Sequence, residues 1–288
     1  MTSINRLPTT TVYPSRLRIF QPTRRPTHLN NVVNTTKWGE VSVNGKLGQQ
    51  HADFFEAICF HAQNLSINEE GQLKILVDLA KIRRSTRLEG IGLKNTENEL
   101  MAAVVEILKP NKLSCRGHLI DSIHPARQRD ETVITAHNPF GGTRALWTVT
   151  LGDVGMMLLK QKLTLNYNPT PIAQIHQGAA QAIARLLLTH DPKRQPNGGF
   201  RLDTLIEQVC GSLSPSVRRD YRRYIRSAAS QLAELGILIE GDRVKRQGKS
   251  DAKPANAGHL PDGTGHLPNK SPKRGTYTRS KLPKPAFR

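Results

Sequence analysis

Arginine supplies the chemistry that stands out in this chain. Arg218, Arg219, Arg222, Arg223 and Arg226 fall within nine residues. At about 100° per residue they occupy an arc of about 140° on a helix. Val217, Tyr221, Tyr224, Ile225, Ala228, Leu232 and Leu235 occupy a separate arc. A helix divided in this way buries one side and offers the other to a partner. Guanidinium is planar, permanently charged and fork-shaped, so it suits both guanine edges and phosphate oxygens. A merely solvated face would intersperse acids, and only Asp220 interrupts this one. Ser214 followed by Pro215 is a good helix start. That places Ser214, Ser216 and the arginines in the N-terminal half, which enters the major groove in helix-turn-helix docking. Arg243, Lys245 and Arg246 follow on a candidate wing, where phosphate contact is expected. Tyr221 and Tyr224 are expected to pack on the buried side.

The surrounding pattern supplies the elements that hold this face. Pro171 to His190 reads as one long amphipathic helix, with Ile172, Ile175, Ala179, Ala182, Ile183 and Leu186 on its apolar stripe. Asp203 can cap a short helix ending at Cys210, with Gly211 beyond it. The arginine helix runs to Leu235, and Gly236 stops it. Ile237–Glu240, Gly241-Asp242 and Arg243–Arg246 then make a hairpin with a two-residue turn. Upstream, Val41–Val43 reads as a strand, Asp53–Gln63 and Glu97–Leu108 read as helical, and Leu73–Arg84 reads as a short apolar run followed by a helix ending in Lys81-Ile82-Arg83-Arg84. Leu119-Ile120, Thr132–Thr135 and Arg144–Leu151 complete a small antiparallel sheet. Lys81, Arg83, Arg84 and Arg87 form a second basic cluster there, with Arg83 and Arg84 as candidate DNA contacts. Glu97, Glu99 and Glu106 follow and would repel phosphate, so DNA contact and protein contact are equally open for the first half. The expected fold is α+β, mainly α, with two tandem winged helix-turn-helix domains. Its parts are a disordered basic arm (1–38), a first domain (39–167), a second domain (168–246) and a disordered basic tail (247–288).

Charge supports a polyanionic partner. The 288 residues carry 42 Lys+Arg against 23 Asp+Glu, a net charge of +19. Residues 1–39 hold six basic residues and no acid, and residues 247–288 hold nine basic residues and two acids. Both ends are rich in Pro, Thr, Ser or Gly and lack periodicity, hence the expectation of disorder. In the tail, Gly258-His259-Leu260-Pro261 recurs as Gly265-His266-Leu267-Pro268. Residues 165–246 carry 12 basic and 7 acidic residues, against 15 and 14 for residues 40–164. The second half is therefore the better grip on DNA.

Other chemistry is poorly supported. No phosphate-binding Gly-x-x-x-x-Gly-Lys loop exists, the ten histidines form no metal set, and no cofactor is expected. Cys59, Cys115 and Cys210 are too few and too scattered for a disulfide framework, and are expected to be free buried thiols. A rolling-circle nickase would need a tyrosine nucleophile beside a His-hydrophobic-His metal pair, and that pair is absent. A winged-helix transcriptional repressor would share the DNA-binding module without needing two domains. No run of apolar residues reaches transmembrane length, and Met1 to Phe20 has no apolar secretory core. A bacterial, cytoplasmic, DNA-associated protein that is not an enzyme is the expectation.

These residues resemble a known family. Val41-Ser42-Val43-Asn44-Gly45 ahead of the Asp53 helix looks like the start of a plasmid replication initiator of the TrfA/RepC type. Arg201-Leu202-Asp203-Thr204-Leu205, Cys210-Gly211 and the basic helix closing on Leu232-Ala233-Glu234-Leu235-Gly236 resemble the second winged helix of those initiators. The resemblance covers residues 38–246 in architecture and about the last 70 of these in residue detail. It implies double-stranded DNA binding at repeated origin sites (iterons), opening of an AT-rich stretch, and recruitment of the host initiator and replicative helicase. It implies that the second winged helix reads the major groove through Ser216, Arg218, Arg219, Arg222 and Arg223. A monomer–dimer equilibrium is the expected assembly. The basic C-terminal tail has no counterpart in the family.

Overall fold

The computed structural model describes residues 7–108, 114–138 and 141–247. The expectation for the tail at 247–288 therefore lies almost wholly outside the described residues. In chain order the first half contains β1 (Thr10–Thr11), α1 (Tyr13–Arg16), β2 (Leu29–Thr36), β3 (Gly39–Gly45), α2 (Gln49–Phe60), β4 (Asn64–Ile67), β5 (Leu73–Val77), α3 (Leu79–Thr86), α4 (Gly90–Ala102), β6 (Val104–Leu108), β7 (Cys115–Gly117), β8 (Ile120–Pro125), β9 (Thr135–His137), β10 (Thr143–Ala145), β11 (Trp147–Leu151), α5 (Asp153–Leu159) and β12 (Thr164–Leu165). The second half contains α6 (Thr170–Ala173), α7 (Gly178–Leu188), β13 (Phe200–Arg201), α8 (Leu202–Cys210), α9 (Pro215–Ser227), α10 (Ala229–Glu234), β14 (Ile237–Glu240) and β15 (Arg243–Arg246).

The fold is mixed rather than mainly helical: 38% of it is helix and 29% strand, in five sheets. Much of the underestimated strand lies in the first half. Val104–Leu108, expected to extend a helix, is β6, and its residues alternate between half-buried and buried. Ala103 turns to extended backbone (ψ 128°), and β-branched Val104, Val105 and Ile107 suit the pleat. β6 pairs antiparallel with β3, Val43 opposite Val105 and Val41 opposite Ile107, in a sheet ordered β2-β3-β6-β7.

Residues 7–38 are folded, not a disordered arm. β1 pairs with β12, β2 pairs with β3, and Leu7, Val12, Leu17, Ile19 and Phe20 are buried. These apolar residues follow no period because they fill gaps between elements rather than one face of an element of their own. The first half therefore extends back to residue 7.

The two halves share one topology. In the first, β5, α3, α4, β8 and β11 come in that order, with β6 and β7 of another sheet inserted between α4 and β8, and the three strands lie in the order β5-β11-β8 with β4 added beside β5. In the second, β13, α8, α9, β14 and β15 do the same, in the order β13-β15-β14. Each is a helix-turn-helix closed by a strand hairpin. In the first half the hairpin is extended by a 126–146 arm holding β9 and β10, tied at its base by Ala126 N–H to Leu146 O (2.9 Å).

Each half has its own apolar core. One is centred on Phe54, Phe55, Ile58, Ile75, Val105 and Val149. The other is centred on Ile172, Ile183, Leu187, Leu205, Ile206, Ile225 and Leu232. Between them runs a polar seam. Arg185 of α7 is buried and donates to Asp53 Oδ1 (2.6 Å), to Glu56 Oε1 and Oε2 (both 3.0 Å) and to Gln49 Oε1 (2.8 Å) of α2. Burial pushes the Glu56 carboxyl up, and the Arg185 guanidinium opposes that shift.

The expected single helix over Pro171–His190 is interrupted between α6 and α7. A Cβ at Gly178 would lie 2.6 Å from Thr23 Cα, so the α7 start sits directly against the N-terminal segment and only glycine fits. The arginine helix also ends early, at Ser227. Ala228 (φ −98°, ψ 11°) leaves helical geometry, and α10 starts after it.

Candidate nucleic-acid interface

The second half builds the arginine face from its turn outward. Gly211, at φ +79°, closes α8 in a backbone conformation that favours glycine. Ser214 then caps α9, its Oγ accepting from Val217 N–H (3.5 Å) and lying 3.2 Å from Ser216 Oγ. Ser214 and Ser216 are both exposed. Ile225 is the buried anchor of α9, Tyr221 is half-buried, and Val217 and Tyr224 are exposed. The packed side is thus narrower than its apolar arc implies.

The arginines divide into two groups. Arg222 makes a two-pronged ion pair with Asp203 of α8. Arg226 reaches the hairpin turn, donating to Asp242 Oδ1 (2.6 Å) and Gly241 O (3.3 Å). These two hold α9 against α8 and the wing. Arg219 is exposed, and Arg218 is half-buried with its Nε unbonded; neither forms an ion pair among the described residues. Arg223 pairs with Asp220 (3.2 Å) one turn away but keeps 70% of its side chain exposed. An exposed pair of that kind contributes about 0–1 kcal/mol, while a bidentate arginine–guanine contact contributes about 1–3 kcal/mol. The Asp220 pair therefore leaves Arg223 open to a stronger partner.

Asp203 sits beneath several cations. The Arg222 hydrogen bonds hold its carboxyl below the usual range, and the charges of Arg222, Arg218 and Arg201 add to that. Arg201 is a contact candidate that the sequence did not single out. It lies on β13, directly across from Arg243 of the wing, in a strand of two residues too short to show a period.

The wing forms as expected, but its basic residues differ in what they face. Arg243 is exposed and donates to Gly199 O (3.2 Å). Lys245 pairs with Glu240 (2.8 Å). Arg246 is half-buried, and its Nη1 donates to the carbonyls of Leu187, Leu188 and His190 at 3.2, 3.3 and 2.9 Å. It neutralises the C-terminal end of α7, so its Nη1 is engaged within the chain.

In the first half, Arg83 and Arg84 are exposed on α3, with Arg84 Nε donating to Ala80 O (3.2 Å). The acids that would repel phosphate are partly withdrawn. Glu99 is held by His51 (3.0 Å) and Lys46 (3.4 Å). Glu97 is half-buried, and burial raises its carboxyl pKa. Glu106 lies on β6, not on α4. The outward side of α4 carries Ile91, Lys94, Asn95 and Asn98 instead.

Comparison with protein-family models, curated proteins and solved structures found no match. Among the described residues no group of three or more His, Cys, Asp or Glu could hold a metal. Cys59 is buried, Cys115 and Cys210 are half-buried, and all three are free. Burial pushes the Cys210 thiol up to about 12, so it is a poor nucleophile. Tyr221 is hydrogen-bonded to Cys210, and burial raises its pKa. No helix among the described residues is long and apolar enough to cross a membrane.

Proposed function

We propose that this chain is a sequence-specific double-stranded DNA-binding protein that initiates plasmid replication at repeated origin sites. The observation that carries the DNA reading is the group Arg218, Arg219 and Arg223. Three guanidiniums without strong internal partners stand on the second helix of a helix-turn-helix, Arg218 and Arg219 in its N-terminal half and Arg223 just past its middle, flanked by a wing. Arg222 and Arg226 orient that helix. Arg201 and Arg243, side by side on adjacent strands, extend the cationic strip toward phosphate.

The initiator reading rests on the resemblance of residues 38–246 and is supported by the duplicated topology. A repressor needs one such module; two suit a long, repeated site. On this reading the chain acts in the bacterial cytoplasm, passes between monomer and dimer, and recruits the host initiator and replicative helicase without performing catalysis itself.

Fluorescence anisotropy with duplexes from the DNA flanking the gene tests both levels. Directly repeated sites of about 20 base pairs, two helical turns, are expected there. Arg219→Ala should weaken binding to such a site by about 1–3 kcal/mol while changing random-duplex binding little. Arg243→Ala should weaken both duplexes and lower the salt slope by about one. Arg246→Ala should lower the melting temperature and leave affinity intact in the folded protein. Equal loss on both duplexes for Arg219→Ala would refute major-groove reading.

A further inference from the structure

A cavity of about 370 Å³ opens where the N-terminal segment meets the turn between β2 and β3 and the ends of α7 and α8. Arg16, Arg18 and Lys37 line it together with Ser15, Thr35 and Trp38, and no carboxylate does. Arg16 lies over the Trp38 ring, 5.1 Å from its centroid. Its Nε donates to Thr189 Oγ1 (2.6 Å) and its Nη2 to Thr189 O (3.3 Å). Arg18 donates through Nε to Gln208 O (2.6 Å) and through Nη2 to Glu207 O (3.0 Å). Both guanidiniums are thus fixed on one edge, with their Nη1 groups left over.

The charge balance at this cavity differs from that around three other partly or fully buried arginines. Arg24, Arg144 and Arg185 each face a carboxylate. Arg16, Arg18 and Lys37 form no ion pair among the described residues. The ends of α7 and α8 contribute roughly half a negative charge each, and the Glu207 carboxylate acts on Arg18 without forming an ion pair, so a positive excess of about one charge remains. Burial pushes the pKa of both guanidiniums down, with Glu207 opposing that shift at Arg18. The hydroxyls of Ser15 and Thr35 add donors of the kind that complete anion sites.

We propose that this cavity binds a small phosphomonoester, its dianionic phosphate held by Arg16, Arg18 and Lys37 and by the Ser15 and Thr35 hydroxyls. The volume is near the lower end of small-molecule sites, roughly 300–1,000 Å³, which suits a molecule the size of a nucleoside monophosphate. The lining comes from both halves of the chain, so a bound ligand would stabilise their junction by mass action. The proposal does not depend on DNA recognition by α9.

The test uses the full chain, with adenosine monophosphate and inorganic phosphate titrated by calorimetry and by thermal shift. Lys37 is exposed and its side chain makes no hydrogen bond or ion pair among the described residues, so replacing it leaves the fold alone. Saturable binding is expected, with a rise in melting temperature. Lys37→Ala should weaken it about tenfold, the loss of one charge-assisted hydrogen bond. Lys37→Glu should weaken it further, and Lys162→Glu, a charge reversal elsewhere, should not. No saturable binding by the unaltered protein, or binding indifferent to Lys37→Glu, overturns the proposal. If only random-duplex affinity responds to Lys37→Glu, these cations serve DNA backbone and the small-ligand assignment fails. Arg219→Ala reports on the duplex-reading helix separately.

Discussion

Individual residues in this protein do unlike work despite like chemistry. Arg219 and Arg246 are both arginines of the basic second half; one faces solvent and the other caps α7. The amphipathic spacing of residues 214–227 was readable because it is local and repeats with the helix. The partners that sort its arginines were not. Asp203 is nineteen residues from Arg222, and Asp242 sixteen from Arg226. No period in the sequence links them. Histidines give a sharper prediction. His51 is buried, with Nδ1 accepting from Gly48 N–H (3.0 Å), so Nε2 carries the proton toward Glu99 (3.0 Å). Burial lowers its pKa, with Glu99 opposing. Burial also lowers His61 and His190, helped by Lys81 and Arg16 respectively. The unfolded chain therefore takes up protons near pH 6.5 while the folded chain does not. These three contributions are complete above pH 6.5 and are lost as pH falls toward and through the folded values. Melting temperature should drop from pH 7.5 to pH 5.5, and less so in His51→Gln. A flat profile across that range would show that the folded rings take up protons as readily as the unfolded ones.

Elements were legible where one periodicity dominated and misread where two competed. Val-Val-Glu-Ile-Leu satisfies a helical stripe and a strand alternation alike, and the choice fell to β3, which lies sixty residues earlier and pairs with it. The hairpin of β14 and β15 was legible because Gly241-Asp242 fixes a two-residue turn between alternating strands. The α2–α7 seam had no sequence signature, since Gln49, Asp53 and Glu56 read as the polar side of a solvated helix. Their burial against Arg185 sets up a test on helix pairing. Arg185→Met leaves buried Glu56 without its cation and Asp53 with Arg24 alone, which should cost about 3–5 kcal/mol in urea unfolding. Adding Glu56→Met removes the stranded charge and should restore most of that loss. If the double variant is no more stable than Arg185→Met, the network contributes specific geometry that apolar packing cannot replace.

The molecule as a whole depends on a segment that composition alone reads as a tail. Residues 7–28 are proline-rich and basic, yet they bury Leu17, Ile19 and Phe20 at 1%, 1% and 8% exposure. They also bond across the chain: Thr9 Oγ1 to Tyr167 O (2.7 Å), Arg16 to Thr189, and Arg24 Nη1 to Ala173 O (3.2 Å). These contacts span about 150 residues, beyond the reach of any window of sequence. Arg16, Arg18 and Arg24 thus help to join the halves, and the charge excess of the first 39 residues does not mark a solvated arm. The same contacts predict how the protein unfolds. Leu17 belongs to the first core, while its neighbours Arg16 and Arg18 hold the ends of α7 and α8, so damage there should reach both halves. Leu17→Ala should cost about 2–5 kcal/mol. Hydrogen exchange should show amides of α2 and α7 losing protection together and by similar amounts. Loss confined to α2 would mean that the halves open independently, and that the N-terminal segment is packed on one of them without coupling the pair.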